Sequence, residues 1–210
     1  MGLLKQGILG GFRGKVGNVV GTAWKGKAVI KAMPLSVANP RTAGQVEQRG
    51  KFSKLVGLAG LILASLIKPL WDRFSSGMSG YNSFISVNRD AFDALGNIDP
   101  SKILISRGRL LPPVVVDVTR NGNKCRVDIG HAGGDKYALP TDRLYCLIAS
   151  QDLSRIYHVG ITEYTRANLS LDEAEFTFKS QQECNDAKQF YFTYLRYDGS
   201  EVGTSSHYNE

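Results

Sequence analysis

Short segments that alternate apolar and polar residues recur along the second half of the chain, and this pattern limits the fold more than any other feature. Alternation with a period of two places one face of each segment on a core and the other face in solvent. The predicted strands are Ile103–Ser106, Val114–Thr119, Cys125–Ile129, Leu144–Ala149, Ile156–Thr162, Ala174–Lys179, Phe190–Tyr197 and Val202–Tyr208. The turn residues between them include Asn121-Gly122-Asn123, Gly133-Gly134-Asp135 and Asp198-Gly199. The pattern predicts an antiparallel β-sandwich of the immunoglobulin or fibronectin type.

The predicted strand Phe190–Tyr197 is aromatic on both faces. Phe190, Phe192 and Tyr194 point to one side, and Tyr191, Leu195 and Tyr197 point to the other. Both faces of a strand of this kind are expected to be buried against other parts of the protein. One face fits the core of the sandwich, and we expect helices of the same chain, rather than an interface with a partner, to cover the other.

The first half of the chain predicts a β-ribbon followed by helices. Residues 7–33 are rich in glycine and β-branched residues, and Lys25-Gly26 is a turn between two strands. The predicted helices run from Thr42 to about Leu58, over residues 61–74 with a kink or restart at Pro69, and from Ser79 or Gly80 to about Phe92. Helical patterning ends near Gly96–Pro100, so we expect two domains, residues 1–98 and 99–210, in an α+β chain.

Positive charge is concentrated at one end of the chain. Residues 1–55 hold ten Lys and Arg and one acid, Glu47, whereas the remainder holds 16 bases and 18 acids. The candidate contact residues are Lys5, Arg13, Lys15, Trp24, Lys25, Lys27, Lys31, Arg41 and Arg49. A basic segment interleaved with an aromatic residue can track the phosphates of a nucleic acid, dock on an acidic protein neighbour, or simply keep the protein soluble. The sequence leaves these three alternatives open.

Motifs that would carry catalysis are incomplete. Residues 21–28 approach a phosphate-binding loop, but Ala28 replaces the hydroxyl residue that holds magnesium, and a strand rather than a helix follows. His131, His158 and His207 have no second ligand at metal-binding spacing. We therefore expect a protein that is not an enzyme and that uses no cofactor, metal or small-molecule substrate.

Three cysteines and one apolar run bear on the cellular compartment in which the protein is made and on whether it enters a membrane. Cys125, Cys146 and Cys184 are odd in number and widely spaced, which predicts reduced thiols rather than disulfides. The start of the chain lacks a signal-peptide pattern, which favours synthesis in a bacterial-type cytoplasm. The apolar run Leu55–Ile67 is shorter than a membrane-spanning helix requires, so we expect a core helix and no membrane partner.

Several blocks of residues resemble an uncharacterised family of proteins, about 200 residues long, found in bacterial genomes and in phages. They are residues 7–17, Val20-Gly21, Trp24-Lys25-Gly26, Asn39-Pro40-Arg41-Thr42 with Gln45, Arg49 and Phe52, Ser79-Gly80-Tyr81-Asn82, residues 103–108, and Asp198-Gly199 with Val202. The Asn-Pro-Arg-Thr block is also similar to a segment of tailed-phage structural proteins.

The resemblance implies a virion or prophage setting for the protein. The expected function is that of a structural or assembly protein, present in many copies and in contact with other particle proteins or with itself. The alternative is a nucleic-acid-binding accessory protein that acts through the basic segment without reading sequence. A cell-surface module is disfavoured by the lack of an export signal.

Overall fold

The structure, a computed structural model, describes residues 2–3, 11–24, 26–36, 41–130, 136–171 and 173–210. The chain divides into two compact units, residues 1–42 and residues 43–210. The predicted boundary at residues 98–99 lies inside the second unit. Helices and antiparallel sheets make up the described chain, so the mixed α and β composition predicted from the sequence is confirmed.

The first unit contains one antiparallel sheet with the strand order β1-β4-β3-β2. Its strands are β1 (Gly2–Leu3), β2 (Gly14–Val16), β3 (Val19–Trp24) and β4 (Lys27–Ala32). The predicted hairpin between β3 and β4 is present, and Gly26 in its turn has a φ of 78°. A side chain at this position would strain the backbone, which explains the glycine. Lys25 lies outside the described residues.

The second unit begins with one long helix in place of the two that the sequence predicts. The helical elements are α1 (Ala43–Ile62), a π-helical segment (Leu63–Ile67), α2 (Lys68–Trp71) and α3 (Gly80–Asn88). The first three are continuous, and α1 begins directly after Thr42, as predicted. The π-helical turn explains why Pro69 does not end the helix. The Lys68 N–H donates to the Leu63 carbonyl, and this wider turn accommodates a residue that has no N–H of its own.

The long helix, 29 residues from Ala43 to Trp71, is long and apolar enough to cross a membrane by length and composition alone, but core helices of soluble proteins meet the same test. One of its faces is buried in the core of the second unit, through Leu55, Leu58 and Ile62 among others. Val46 and Phe52, apolar residues in the first half of this helix, are both exposed. The buried face is instead formed by residues from Leu55 onward.

Two antiparallel sheets follow the helices, with the strand orders β5-β6-β9 and β11-β10-β7-β8. The elements are β5 (Val114–Asn121), β6 (Lys124–Gly130), β7 (Arg143–Ser150), β8 (Ile156–Thr165), β9 (Glu173–Thr177), α4 (Gln181–Asp186), β10 (Ala187–Leu195) and β11 (Ser206–Asn209), with 3-10 turns at Pro100–Lys102 and Asn168–Leu171. Six of the eight predicted strands therefore match a strand closely. The predicted strand Val202–Tyr208 is shortened to β11.

Strand β10 separates two hydrophobic cores. Phe190, Phe192 and Tyr194 belong to the core between the two sheets, where the rings of Phe176 and Phe192 lie 5.9 Å apart. Tyr191, on the opposite face, belongs to the core under the helices. The prediction that helices of the same chain cover the second aromatic face is confirmed for Tyr191 and Leu195, whereas Tyr197 lies beyond the end of β10 and is exposed.

The predicted strand Ile103–Ser106 is instead part of an extended segment, residues 103–110, that we call the strap. Its backbone is held largely by side chains. The Leu104 N–H donates to Asn88 Oδ1 (2.8 Å), and Asn88 Nδ2 donates to the Leu104 carbonyl (3.0 Å). Trp71 Nε1 donates to the Ile105 carbonyl (2.8 Å). Buried backbone groups need such partners, so these side chains substitute for a neighbouring strand.

Strand β9 lies at the edge of its sheet, and a side chain occupies its outer backbone groups. The Glu175 N–H donates to the Tyr164 hydroxyl (2.9 Å), and the same hydroxyl donates to the Glu175 carbonyl (3.3 Å). His158 hydrogen-bonds the backbone of Thr177 and stacks edge-on against Phe178. Burial lowers the pKa of His158. Tyr164 and His158 thus cap the outer side of β9.

All three cysteines are free and buried, as the sequence predicts for their redox state. Cys184 lies in the short helix α4. The signal for that helix is Ser180 followed three residues later by Glu183, the sequence pattern of a capping box. Ser180 Oγ accepts from the Glu183 N–H (3.2 Å), and the Glu183 carboxylate accepts from the N–H of Lys179, the residue before the N-cap (3.2 Å).

Alanine substitution at two glycines should change stability in opposite directions. No described atom lies within 4 Å of a Cβ built on Gly57, so Gly57→Ala should stabilise α1 by up to about 1 kcal/mol through helix propensity. A Cβ on Gly108 would overlap the Val202 carbonyl oxygen, so Gly108→Ala should destabilise by about 1–3 kcal/mol. Chemical denaturation of the two variants measures both effects, and equal changes would contradict the packing of the strap.

The thiols should be unreactive in the native protein. Burial raises the pKa of Cys125 and of Cys146 to about 12, and the pKa of Cys184 is raised for the same reason, so little thiolate is present near pH 8. A thiol-reactive disulfide reagent should react slowly with the native protein. After denaturation in the absence of reductant, it should react rapidly with three thiols per chain. Rapid reaction of the native protein would contradict this burial, and fewer than three thiols after denaturation would reveal a disulfide.

Candidate anion-binding face

The strand register brings four of the predicted contact residues onto one face of the first sheet. Lys15 and Lys31 both pair with Val20, and Trp24 pairs with Lys27. Directly opposed residues of antiparallel strands share a face, as do alternate residues of one strand. The face therefore carries Lys15, Val20, Thr22, Trp24, Lys27, Val29 and Lys31, and we call it the basic face.

The opposite face of the same sheet carries uncharged residues, Gly14, Val16, Val19, Gly21, Ala23, Ala28, Ile30 and Ala32, and the segment at Gly11 and Phe12 covers part of it. A Cβ on Gly21 would overlap the Phe12 carbonyl oxygen and lie 2.7 Å from two Phe12 ring atoms. A Cβ on Gly11 would overlap that of Ala28. Phe12 can lie flat on the sheet only because glycine stands beneath it. The two faces thus differ in chemistry, with charge confined to one of them.

Charge and aromatic surface are accessible on the basic face. The three lysines are exposed, and the Trp24 side chain is 62% exposed. Val29, between Lys27 and Lys31 on β4, is only 3% exposed, so the charged groups stand toward the two ends of the face. Strand geometry sets the Cα atoms of Lys27 and Lys31 about 14 Å apart and those of Lys15 and Lys31 about 10 Å apart.

The remaining predicted residues are placed differently. Arg13 is exposed and lines a depression of about 300 Å³ together with Thr22 and Ala23. Arg41 is exposed just before α1, and Arg49 is exposed on α1 in the second unit. Lys5 and Lys25 lie outside the described residues.

The division of the chain into two units coincides with a division of charge. Residues 1–42 hold seven of the 26 Lys and Arg and none of the 19 Asp and Glu. The remaining 19 bases are balanced by the 19 acids of residues 43–210. The net charge of +7 therefore belongs entirely to the first unit, and the second unit is neutral. The sequence itself marks the boundary between the charged unit and the neutral unit, because no Asp or Glu precedes Glu47.

In the second unit the sequence missed a buried charge cluster around Asp142. Its two carboxylate oxygens each lie 3.5 Å from a guanidinium Nε, one of Arg166 and one of Arg196. The Arg166 guanidinium stacks 3.9 Å from the ring centroid of Tyr194, whose pKa is raised to about 12, chiefly by burial. Asp142 also accepts from the Leu139 N–H (2.9 Å). These partners lie within the chain itself and join loops to β10, which indicates a structural role.

A surface depression of about 500 Å³ lies on the three-stranded sheet. Two of its lining residues, Lys124 and Arg126, form ion pairs with Glu175. Among the described residues, no group of three or more His, Cys, Asp or Glu side chains could hold a metal ion. Four of the nine predicted contact residues, Lys15, Trp24, Lys27 and Lys31, thus share one surface, the basic face.

Comparison with known proteins gives one match. The model of a family of unknown function (DUF6266) matches residues 11–209, which is nearly the whole chain. The predicted resemblance to an uncharacterised family is thereby confirmed. No curated protein and no solved structure matches the chain.

The two tryptophans offer a direct test of the basic face. Trp71 is 4% exposed, whereas Trp24 is mostly exposed, so a soluble quencher such as acrylamide should act mainly on Trp24. Trp24→Phe should leave a blue-shifted emission that resists quenching. Equal quenching before and after the substitution would contradict the exposure of Trp24.

Proposed function

Since the chain belongs to a family of unknown function (DUF6266), we propose a function from its own residues: it is a non-enzymatic assembly protein, present in many copies. The basic face of the first unit attaches the neutral second unit to an anionic surface. No substrate or cofactor is needed for this role.

One observation carries the proposal, the confinement of the net charge to the first unit. A compact unit with seven bases and no acid cannot neutralise its charge internally, and its self-repulsion is relieved by a partner that supplies negative charge. The second unit is neutral, so electrostatic repulsion does not keep copies of it apart. This division suits a protein that is anchored through its first unit and packed against further copies through its second.

The second unit suits a rigid body of the immunoglobulin or fibronectin type. Seven strands lie in two antiparallel sheets of three and four strands, a number and a division that such sandwiches share. Strand β8 pairs with β7 and so gives the fourth strand to the sheet that contains β10. Sandwiches of this type are frequent display and adhesion modules, and this analogy supports a structural role.

The setting we propose is a phage or prophage particle, with the protein made in the bacterial cytoplasm. Support comes from the similarity of residues 39–42 to a segment of tailed-phage structural proteins. Residues 39 and 40 lie outside the described residues. Partners in that setting are other particle proteins, further copies of this chain, or the packaged nucleic acid.

An alternative function is a nucleic-acid-binding accessory protein that does not read sequence. It is favoured by the presence of Trp24 among the lysines of the basic face, because an aromatic side chain adds a stacking surface that a purely electrostatic anchor does not need.

Charge reversal on the basic face tests the proposed function. The full chain with Lys15→Glu, Lys27→Glu and Lys31→Glu should be lost from particles purified by density gradient from the native host. We expect its abundance in the particle fraction to fall by about tenfold or more, because like charges across an interface oppose association. Quantitative mass spectrometry of the fraction measures this.

A matched control is available in the second unit. Lys68→Glu, Lys136→Glu and Lys179→Glu change the net charge equally at exposed positions outside the basic face. Particle abundance of this control should stay near that of the native chain. The proposal is wrong if the native chain is absent from the particle fraction, or if both triple variants behave alike.

A further inference from the structure

The cations of the basic face are all lysines. Lysine is depleted at protein–protein interfaces, where arginine and aromatic residues dominate, because its strongly hydrated ammonium group is costly to bury. Phosphate groups are bound differently, by exposed cations that release counterions without being buried. Lys15, Lys27 and Lys31 are exposed and spread over about 10–14 Å, which suits several phosphates better than one acidic side chain.

An indole stands directly beside this charge. Trp24 pairs with Lys27 across β3 and β4, so their side chains emerge on the same face with Cβ atoms about 5 Å apart. A base can stack on an exposed indole only if it is not already stacked between neighbouring bases of a duplex. Trp24 therefore adds affinity for single strands and contributes little to binding of intact duplex.

The described part of residues 14–32 gives no means of reading base identity. Its described strands carry Val, Ala, Gly, Thr and Lys between residues 14 and 32, apart from Trp24, Asn18 and Ile30. The Arg, Asn or Gln pairs that read base edges are not found on the basic face. Binding through this face would accordingly be insensitive to sequence.

Resting on the attachment role proposed above, we infer that the basic face binds single-stranded nucleic acid. Phosphates contact Lys15, Lys27 and Lys31, and one base stacks on Trp24. The anionic surface of the proposed function is thereby assigned to a polynucleotide rather than to an acidic protein.

Salt dependence tests the phosphate contacts. Fluorescently labelled oligo(dT) of about 20 nucleotides is titrated with the full chain between about 50 and 200 mM salt. Three phosphate contacts on a single strand give a log–log slope of about −2. Lys15→Gln, Lys27→Gln and Lys31→Gln together should reduce the magnitude of the slope by about 2, whereas Gln at Lys68, Lys136 and Lys179 should leave it unchanged.

Substitution of Trp24 tests the stacking separately from the charge. Trp24→Ala should weaken oligo(dT) binding by about 5- to 150-fold, the equivalent of one stacked base, and should leave the salt slope unchanged. Trp24→Phe keeps an aromatic ring and should restore most of the affinity. Duplex DNA of equal length should bind more weakly and should lose little affinity in Trp24→Ala.

Other outcomes overturn the inference. Absence of oligo(dT) binding at about 50 mM salt would do so, as would equal effects of Trp24→Ala on single-stranded and duplex DNA. Salt-sensitive binding to polyglutamate but not to oligo(dT) would assign the face to an acidic protein. In that case the particle experiment with the charge-reversed chain would still support the attachment role, so the inference and the proposed function fail separately.

Discussion

The four-stranded sheet of the second unit is apolar on both faces, and this constraint determines the layers around it. Strand β10 carries aromatic side chains on both sides, so one face requires a second sheet and the other requires helices. The helices must also be tied to the sheets, and the strap does this through Asn88 and Trp71 on the helical side and Thr193 on the sheet side. The order of the layers and the position of the strap both follow from the burial of one sheet.

Charge is organised independently of this core. The second unit needs its acids and bases for internal contacts, such as those of Asp142 with two arginines and of Glu175 with Lys124 and Arg126. The first unit has no acid with which to form such pairs. One part of the chain therefore folds with balanced charge, and the other keeps an unbalanced charge on a small sheet. This separation lets the body and its proposed anchor change independently.

The sequence predicted most strands, because alternation and glycine turns are local signals. It assigned Ile103–Ser106 to a strand. An extended segment shows the same apolar and polar alternation whether its backbone groups are hydrogen-bonded by a neighbouring strand or by side chains such as Asn88. It divided the long helix between Leu58 and Leu61, where Gly57 and Gly60 lower the helix propensity. It also predicted a kink or restart at Pro69, because the π-helical turn that accommodates this proline has no recognisable pattern. The contact residues of the basic face were identified individually. Which of them share a face depends on strand register, and register is a property of cross-strand pairs rather than of a single segment.

The cap that Tyr164 and His158 form over β9 has a consequence for the proposal that the protein works in many copies. An uncovered edge strand can recruit the strand of a neighbour, and at high local concentration such pairing continues into fibres. Because one phenol occupies both outer backbone groups of Glu175, a neighbouring chain finds no free donor or acceptor at that residue. Growth by strand addition is therefore blocked at β9, and neighbouring copies must meet through side chains there.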